Sequence, residues 1–211
     1  MEINPEPSST QLRITKATCY HEAGHAAVAW WFDSEFHDTQ LFINPNRRVG
    51  IVGGFRSSMS DECLLGLLPQ CAERDLPALI RVIETVMLRI LGGPVAELRF
   101  WGTDPKRIFR AGVIRFSDEY RDPGSDSSRL RNFLRALTGK DDKPHQLRLQ
   151  QECNAIISEP RTWGAISLIA EHLLRCHSMS GADAEEAFRS TDSPQFFSST
   201  NVCASEMSST A

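Results

Sequence analysis

The chain has 211 residues, 41% of them hydrophobic and 24% charged, which is enough apolar material for one buried core and one domain. Its formal charge of -4, with Lys and Arg scattered and never in a long run, excludes a general nucleic-acid or polyanion binder. The polar start from Met1 to Thr10, and the lack of any apolar run near the roughly 18 residues that span a bilayer, set two expectations: no membrane insertion and a cytoplasmic location.

In chain order, residues 1–10 read as a mobile start, 11–189 as one mainly α domain, and the Ser/Thr-rich stretch 190–211 as a mobile tail. From Ala17 to Trp31, the residues Tyr20, Ala23, Gly24, Ala27, Val28 and Trp31 recur at spacings of three and four, which predicts a helix with one apolar stripe. Thr15 or Thr18 can cap its start, and Gly24 lets another backbone or a substrate come close. Residues 39–55 hold two short apolar runs around Asn44-Pro45-Asn46, the pattern of a small β-hairpin. A long helix follows from Glu73 to Leu91, with Pro77 tolerable only in its first turn and Gly92-Gly93 as its expected end.

Leu130, Phe133, Leu134 and Leu137 mark a third helix closed by Gly139, and Pro144 to Ile157 a fourth. Pro160 separates that from a fifth bearing Trp163, Ile166, Ile169 and Leu173, and Ser180 with Asp183 caps a short last helix reaching Phe188. The six cysteines form no C-x-x-C pair, so neither a thiolate zinc knuckle nor a dithiol redox site is indicated, and free thiols are expected.

The first helix carries His21-Glu22-Ala23-Gly24-His25. Two imidazoles four residues apart project from one face and can grip one metal ion, while the Glu between them is available as a base; this is the H-E-x-x-H arrangement of zinc peptidases. The alternative, two surface histidines on an amphipathic helix, gives no reason for Glu22. Cys19, two residues before His21, lies on another side of the helix and reads as a packing residue. His37 is twelve residues past His25 without the accompanying glycine spacing of an extended zinc motif, and reads as a loop residue. Two carboxylates are candidates for a third ligand. Glu97 follows in Gly92-Gly-Pro-Val-Ala-Glu97, and Asp126 stands where a loop enters the third helix; either could complete the set, and either could be structural instead.

The ordered set His21-Glu-Ala-Gly-His-Ala-Ala-Val, Gly53-Gly54, Leu91-Gly-Gly-Pro-Val-Ala-Glu-Leu98, Gly124-Ser-Asp126, Ile169-Ala-Glu-His-Leu-Leu174 and Met179-Ser-Gly181 resembles the peptidase domain of the FtsH-type ATP-dependent zinc metalloproteases. The resemblance spans Ala17 to Phe188 and implies a helical zinc-peptidase fold with a small β-hairpin after the metal helix. It also implies zinc on His21, His25 and Asp126, Glu22 as the catalytic base, and Glu97 as a supporting residue. Ser128 is the alternative at the position of the third ligand.

Members of that family carry an AAA+ ATPase module, whereas this sequence holds no G-x-x-x-x-G-K-[ST] loop. The segment 101–121 is longer than the family's connection and reads as a lid over the site, an interaction surface or an inert insertion. Two functions follow. One is a zinc-dependent endopeptidase acting on unfolded or flexible polypeptides, and the other a non-proteolytic metal-binding adaptor that works with a partner ATPase in trans. Oligomeric state is open.

Overall fold

A computed structural model of the chain describes residues 9–32, 40–43, 60–103 and 125–191. Helix α1 runs from Ser9 to Trp31. It starts earlier than its apolar pattern suggests, so Thr15 and Thr18 lie inside the helix and do not cap it. Nor is its burial a single stripe. Cys19, Glu22, Ala23, Ala26, Ala27, Val28 and Ala29 are all at most 1% exposed, a distribution that covers every side of the helix. Burial all round marks a central helix, here surrounded by the helices that follow. Trp31, assigned to the apolar stripe, is 47% exposed. Its neighbour Trp30 turns inward instead and stacks on Phe188, with ring centroids 5.0 Å apart.

Helix α2, Asp61–Leu67, has no counterpart in the apolar pattern; it starts from an N-cap at Ser60, whose side chain accepts from the Cys63 amide. Helix α3 runs from Leu76 to Phe100, with Pro77 in its first turn. It does not stop at Gly92-Gly93 but continues through both glycines and Pro94. In isolation these three residues disfavour a helix by about 1 kcal/mol for each glycine and about 3 for proline. Tertiary packing offsets that cost. A Cβ on Gly24 would stand 2.3 Å from the Gly92 carbonyl oxygen, and one on Gly92 would stand 2.5 Å from that of Gly24. Helices α1 and α3 therefore cross backbone to backbone, and Gly24 serves a neighbouring helix in the way its lack of a side chain allows.

The expected later helices form. They are α4, Asp126–Thr138; α5, Lys143–Ser158; α6, Pro160–Cys176; and α7, Gly181–Ser190. Gly139 ends α4 at φ 72°, a left-handed conformation that glycine adopts without a Cβ clash. Asp142, Glu159 and Ser180 cap the next three helices by accepting from the amides of His145, Thr162 and Asp183. Leu130, Phe133, Leu149, Ile157, Ile166, Ile169 and Leu173 are buried between these helices and α1–α3.

The hairpin expected over 39–55 falls mostly outside the described residues, and the strand that is described pairs elsewhere. That strand, β1 at Gln40–Phe42, pairs antiparallel with β2 at Ser178–Ser180. Leu41 sits opposite Met179, so this short strand is anchored to a distant segment of the chain. The lid-or-insertion segment, from residue 104 to 121, also lies outside the described residues, as do the tail beyond 191 and residues 1–8. Cys19, Cys63, Cys71 and Cys153 are free thiols, but Cys176 is disulfide-bonded, contrary to the expectation for that residue. The chain is thus mainly α with a small two-stranded sheet. No helix among the described residues is long and apolar enough to cross a membrane.

Candidate metal centre

One helical turn on α1 brings the His21 and His25 rings edge to face, 4.8 Å between centroids. Each ring is held at Nδ1 by α3. His21 donates to Glu97 Oε2 at 3.0 Å, and His25 donates to the Arg89 carbonyl oxygen at 2.7 Å. The Gly93 amide also approaches His25 Nδ1, at 3.4 Å. One ring nitrogen cannot donate and accept with a single proton, and the shorter contact decides the tautomer. Both Nε2 atoms then point toward Asp126, the first residue of α4, whose Oδ2 lies 3.1 Å from each.

The start of α4 is held in place. Ser125 is the N-cap, accepting from the Ser128 amide at 3.4 Å, so the Asp126 carboxylate is free of capping and turns to the histidines. One turn further, Arg129 is gripped by both oxygens of Asp61, at 2.6 and 3.0 Å, which ties α4 to α2. Ser128, the alternative for the third ligand position, bonds the Ser125 hydroxyl.

His25 Nε2 is fully buried and makes no hydrogen bond, although Asp126 Oδ2 is only 3.1 Å away. With Nδ1 carrying the proton, Nε2 presents a lone pair toward a carboxylate oxygen. Two electron donors that converge without a proton between them suit a cation. His21, His25 and Asp126 each offer one such atom, all within 4.8 Å of one another, and this group could hold a metal ion. Two imidazole nitrogens with one carboxylate oxygen suit divalent ions such as zinc.

Charge within the centre is strongly coupled. Burial would lower the His21 pKa, but its bonds to Asp126 and Glu97 outweigh burial and push it up to about 10. Metal-free, His21 therefore holds a proton at neutral pH that an ion must displace. Against its own burial, Asp126 is kept well below the usual carboxylate range by the two histidines, and Glu97 is lowered by His21. Glu22 goes the other way. It is 1% exposed, and burial raises its pKa despite the opposing pull of His21 and His25. Its Oε2 is buried with no hydrogen-bond partner. The Cys19 thiol is pushed up to about 12, mainly by burial, so it stays protonated in the packing role its helix position suggested.

The structure thus brings together His21, Glu22, His25, Asp126 and Glu97, with Asp126 facing both Nε2 atoms and Glu97 facing the far side of His21. His37 lies outside the described residues. Two further contributors carry no sequence signal. The Arg89 carbonyl is a backbone atom that any residue would supply, and the Asp61–Arg129 pair joins segments whose proximity no local pattern encodes. No protein-family model, curated protein or solved structure matches the chain.

Proposed function

We propose that the protein is a zinc-dependent metalloendopeptidase that hydrolyses peptide bonds of unfolded or flexible polypeptides, with any ATPase supplied by a partner. The observation that supports it best is the buried, unpartnered Glu22 carboxylate oxygen beside three convergent donors. Metal storage or a structural metal site would need the donors but not a buried acid with a raised pKa.

In this reading His21, His25 and Asp126 hold the ion, which when bound supplies a Lewis acid and a water of lowered pKa. Glu22 takes a proton from the attacking water at a carboxylate oxygen and later delivers it to the departing amine nitrogen. Burial among helices favours that exchange, since it raises the Glu22 pKa and so makes the carboxylate a stronger base for the proton it takes up. Glu97 and the Arg89 carbonyl fix the two ring orientations through Nδ1, which keeps both Nε2 lone pairs directed at one point. The likeness of the His21–His25, Leu91–Leu98 and Gly124–Asp126 segments to FtsH-type peptidases supports the same assignment.

The test compares wild type with Glu22→Gln for zinc content and for cleavage of an unfolded casein substrate. One zinc per chain is expected in both, with cleavage reduced by at least about a hundredfold in the variant. Equal cleavage by the two proteins would sink the catalytic assignment. Zinc uptake without any cleavage by wild type would favour the non-proteolytic adaptor.

A further inference from the structure

Helix α3 keeps two adjacent glycines in its buried middle, where glycine is the poorest helix former other than proline. They meet different things. Gly92 faces the α1 backbone, and the helix crossing accounts for it. Gly93 does not. A Cβ at Gly93 would stand 2.4 Å from His25 Nε2 and 2.7 Å from both Nε2 and Cδ2 of His21, and its three nearest atoms all belong to these imidazoles.

We infer that Gly93 is a positioning residue of the metal centre: only a hydrogen at this position leaves room for an ion between the two imidazole Nε2 atoms. The point a methyl group would occupy lies 2.4 Å from His25 Nε2 and 2.7 Å from His21 Nε2, beside the nitrogens that zinc would bind at about 2.0–2.1 Å. A methyl group there would crowd both rings and any ion held by their Nε2 atoms. The contacts a methyl would make are with the far ends of two side chains and not with backbone, so the fold can accept it by turning the rings away. Turning the rings breaks the convergence on Asp126 Oδ2 that the donor set needs. Gly93 thus acts on the ion through His21 and His25 and not by touching substrate. The inference rests on the metallopeptidase reading only for the presence of an ion.

The test is a zinc titration by calorimetry of wild type, Gly93→Ala and Gly66→Ala, with the ligand-field absorption of bound cobalt(II) as a second readout. Gly66 on α2 has nothing within 4 Å of its Cβ position and serves as the control. Gly93→Ala is expected to keep its far-ultraviolet helical signal while zinc affinity falls by more than about a hundredfold, beyond what a supporting hydrogen bond to a ligand contributes. Its tetrahedral cobalt bands should vanish, and Gly66→Ala should match wild type. Wild-type affinity in Gly93→Ala would overturn the inference alone. Zinc binding by wild type with Glu22→Gln cleaving normally would overturn the peptidase reading and leave Gly93 in place, whereas a wild type that takes up neither metal would overturn both. If Gly93→Ala fails to fold, it is combined with His25→Ala. His21→Ala is added as well, since the clash is with both rings, and helical signal should then return; a triple variant that stays unfolded would end the inference.

Discussion

The α1–α3 crossing and the buried faces of α5 and α6 both belong to the core, yet they are built on different terms. Helices α5 and α6 bury apolar side chains in the core, Cys153, Ile157, Ile166 and Ile169 among them at 0% exposure, and each helix begins with a side-chain cap. At the α1–α3 crossing the surfaces are glycine and alanine, and the buried groups include Glu22 and His25, each with a polar atom that has no hydrogen-bond partner. Such groups destabilise a fold, and these two stand at the candidate metal centre. The first pair stabilises; the second holds a chemical arrangement in place.

That contrast can be tested, starting with the largest effect. Ile169→Ala removes a fully buried side chain from α6 and should lower stability by about 2–5 kcal/mol in urea unfolding, while the folded fraction keeps wild-type zinc affinity. A large loss of affinity with stability unchanged would show that the two regions are not separable. Glu97→Gln should do the reverse. It weakens the hydrogen bond that orients His21, so zinc affinity should drop about 10- to 100-fold, with the unfolding midpoint of the metal-free protein lowered less than in Ile169→Ala.

A smaller, reversible effect comes from pH. Burial opposes the His21 shift, but its carboxylate partners hold the folded-state pKa near 10 against 6.5 for the free side chain. The folded metal-free state therefore binds this proton more tightly than the unfolded chain. Its contribution is complete below pH 6.5 and is lost as pH rises toward and through 10. Thermal melts of metal-free protein should show that decline, and zinc-loaded protein, in which the ion has displaced the proton, should not. Parallel profiles would mean that zinc does not bind at His21. Smallest of all, Asp142→Ala deletes the α5 cap and should cost about 1 kcal/mol, with zinc affinity unchanged.

Much of the helical order is written in local pattern. Gly139, the Asp142-Lys143-Pro144 start, Pro160 and Ser180 punctuate the chain where the helices end or begin, because caps and breakers act within one turn. The motif His21-Glu22-x-x-His25 is legible for the same reason, since its geometry is that of a single helix. Local pattern misleads where burial overrides propensity. Gly92-Gly93-Pro94 reads as a helix end, yet α3 passes through it because packing against Gly24 rewards a continuous backbone there. The stripe ending at Trp31 reads as one buried face, yet α1 is surrounded, and Trp30 is the tryptophan that stacks on Phe188.

The sequence by itself determined the donor pair on α1, the acid between them and the ends of most helices, all short-range properties of a 3.6-residue repeat. It left Glu97 and Asp126 as equal candidates on physical grounds. Only the tertiary structure separates them, placing Asp126 Oδ2 before both Nε2 atoms and Glu97 behind one ring. It also paired β1 with β2, joined Asp61 to Arg129 and set Gly93 against the two imidazoles. These contacts link residues far apart in the chain, and their distances depend on how the helices pack against one another, which no single segment specifies.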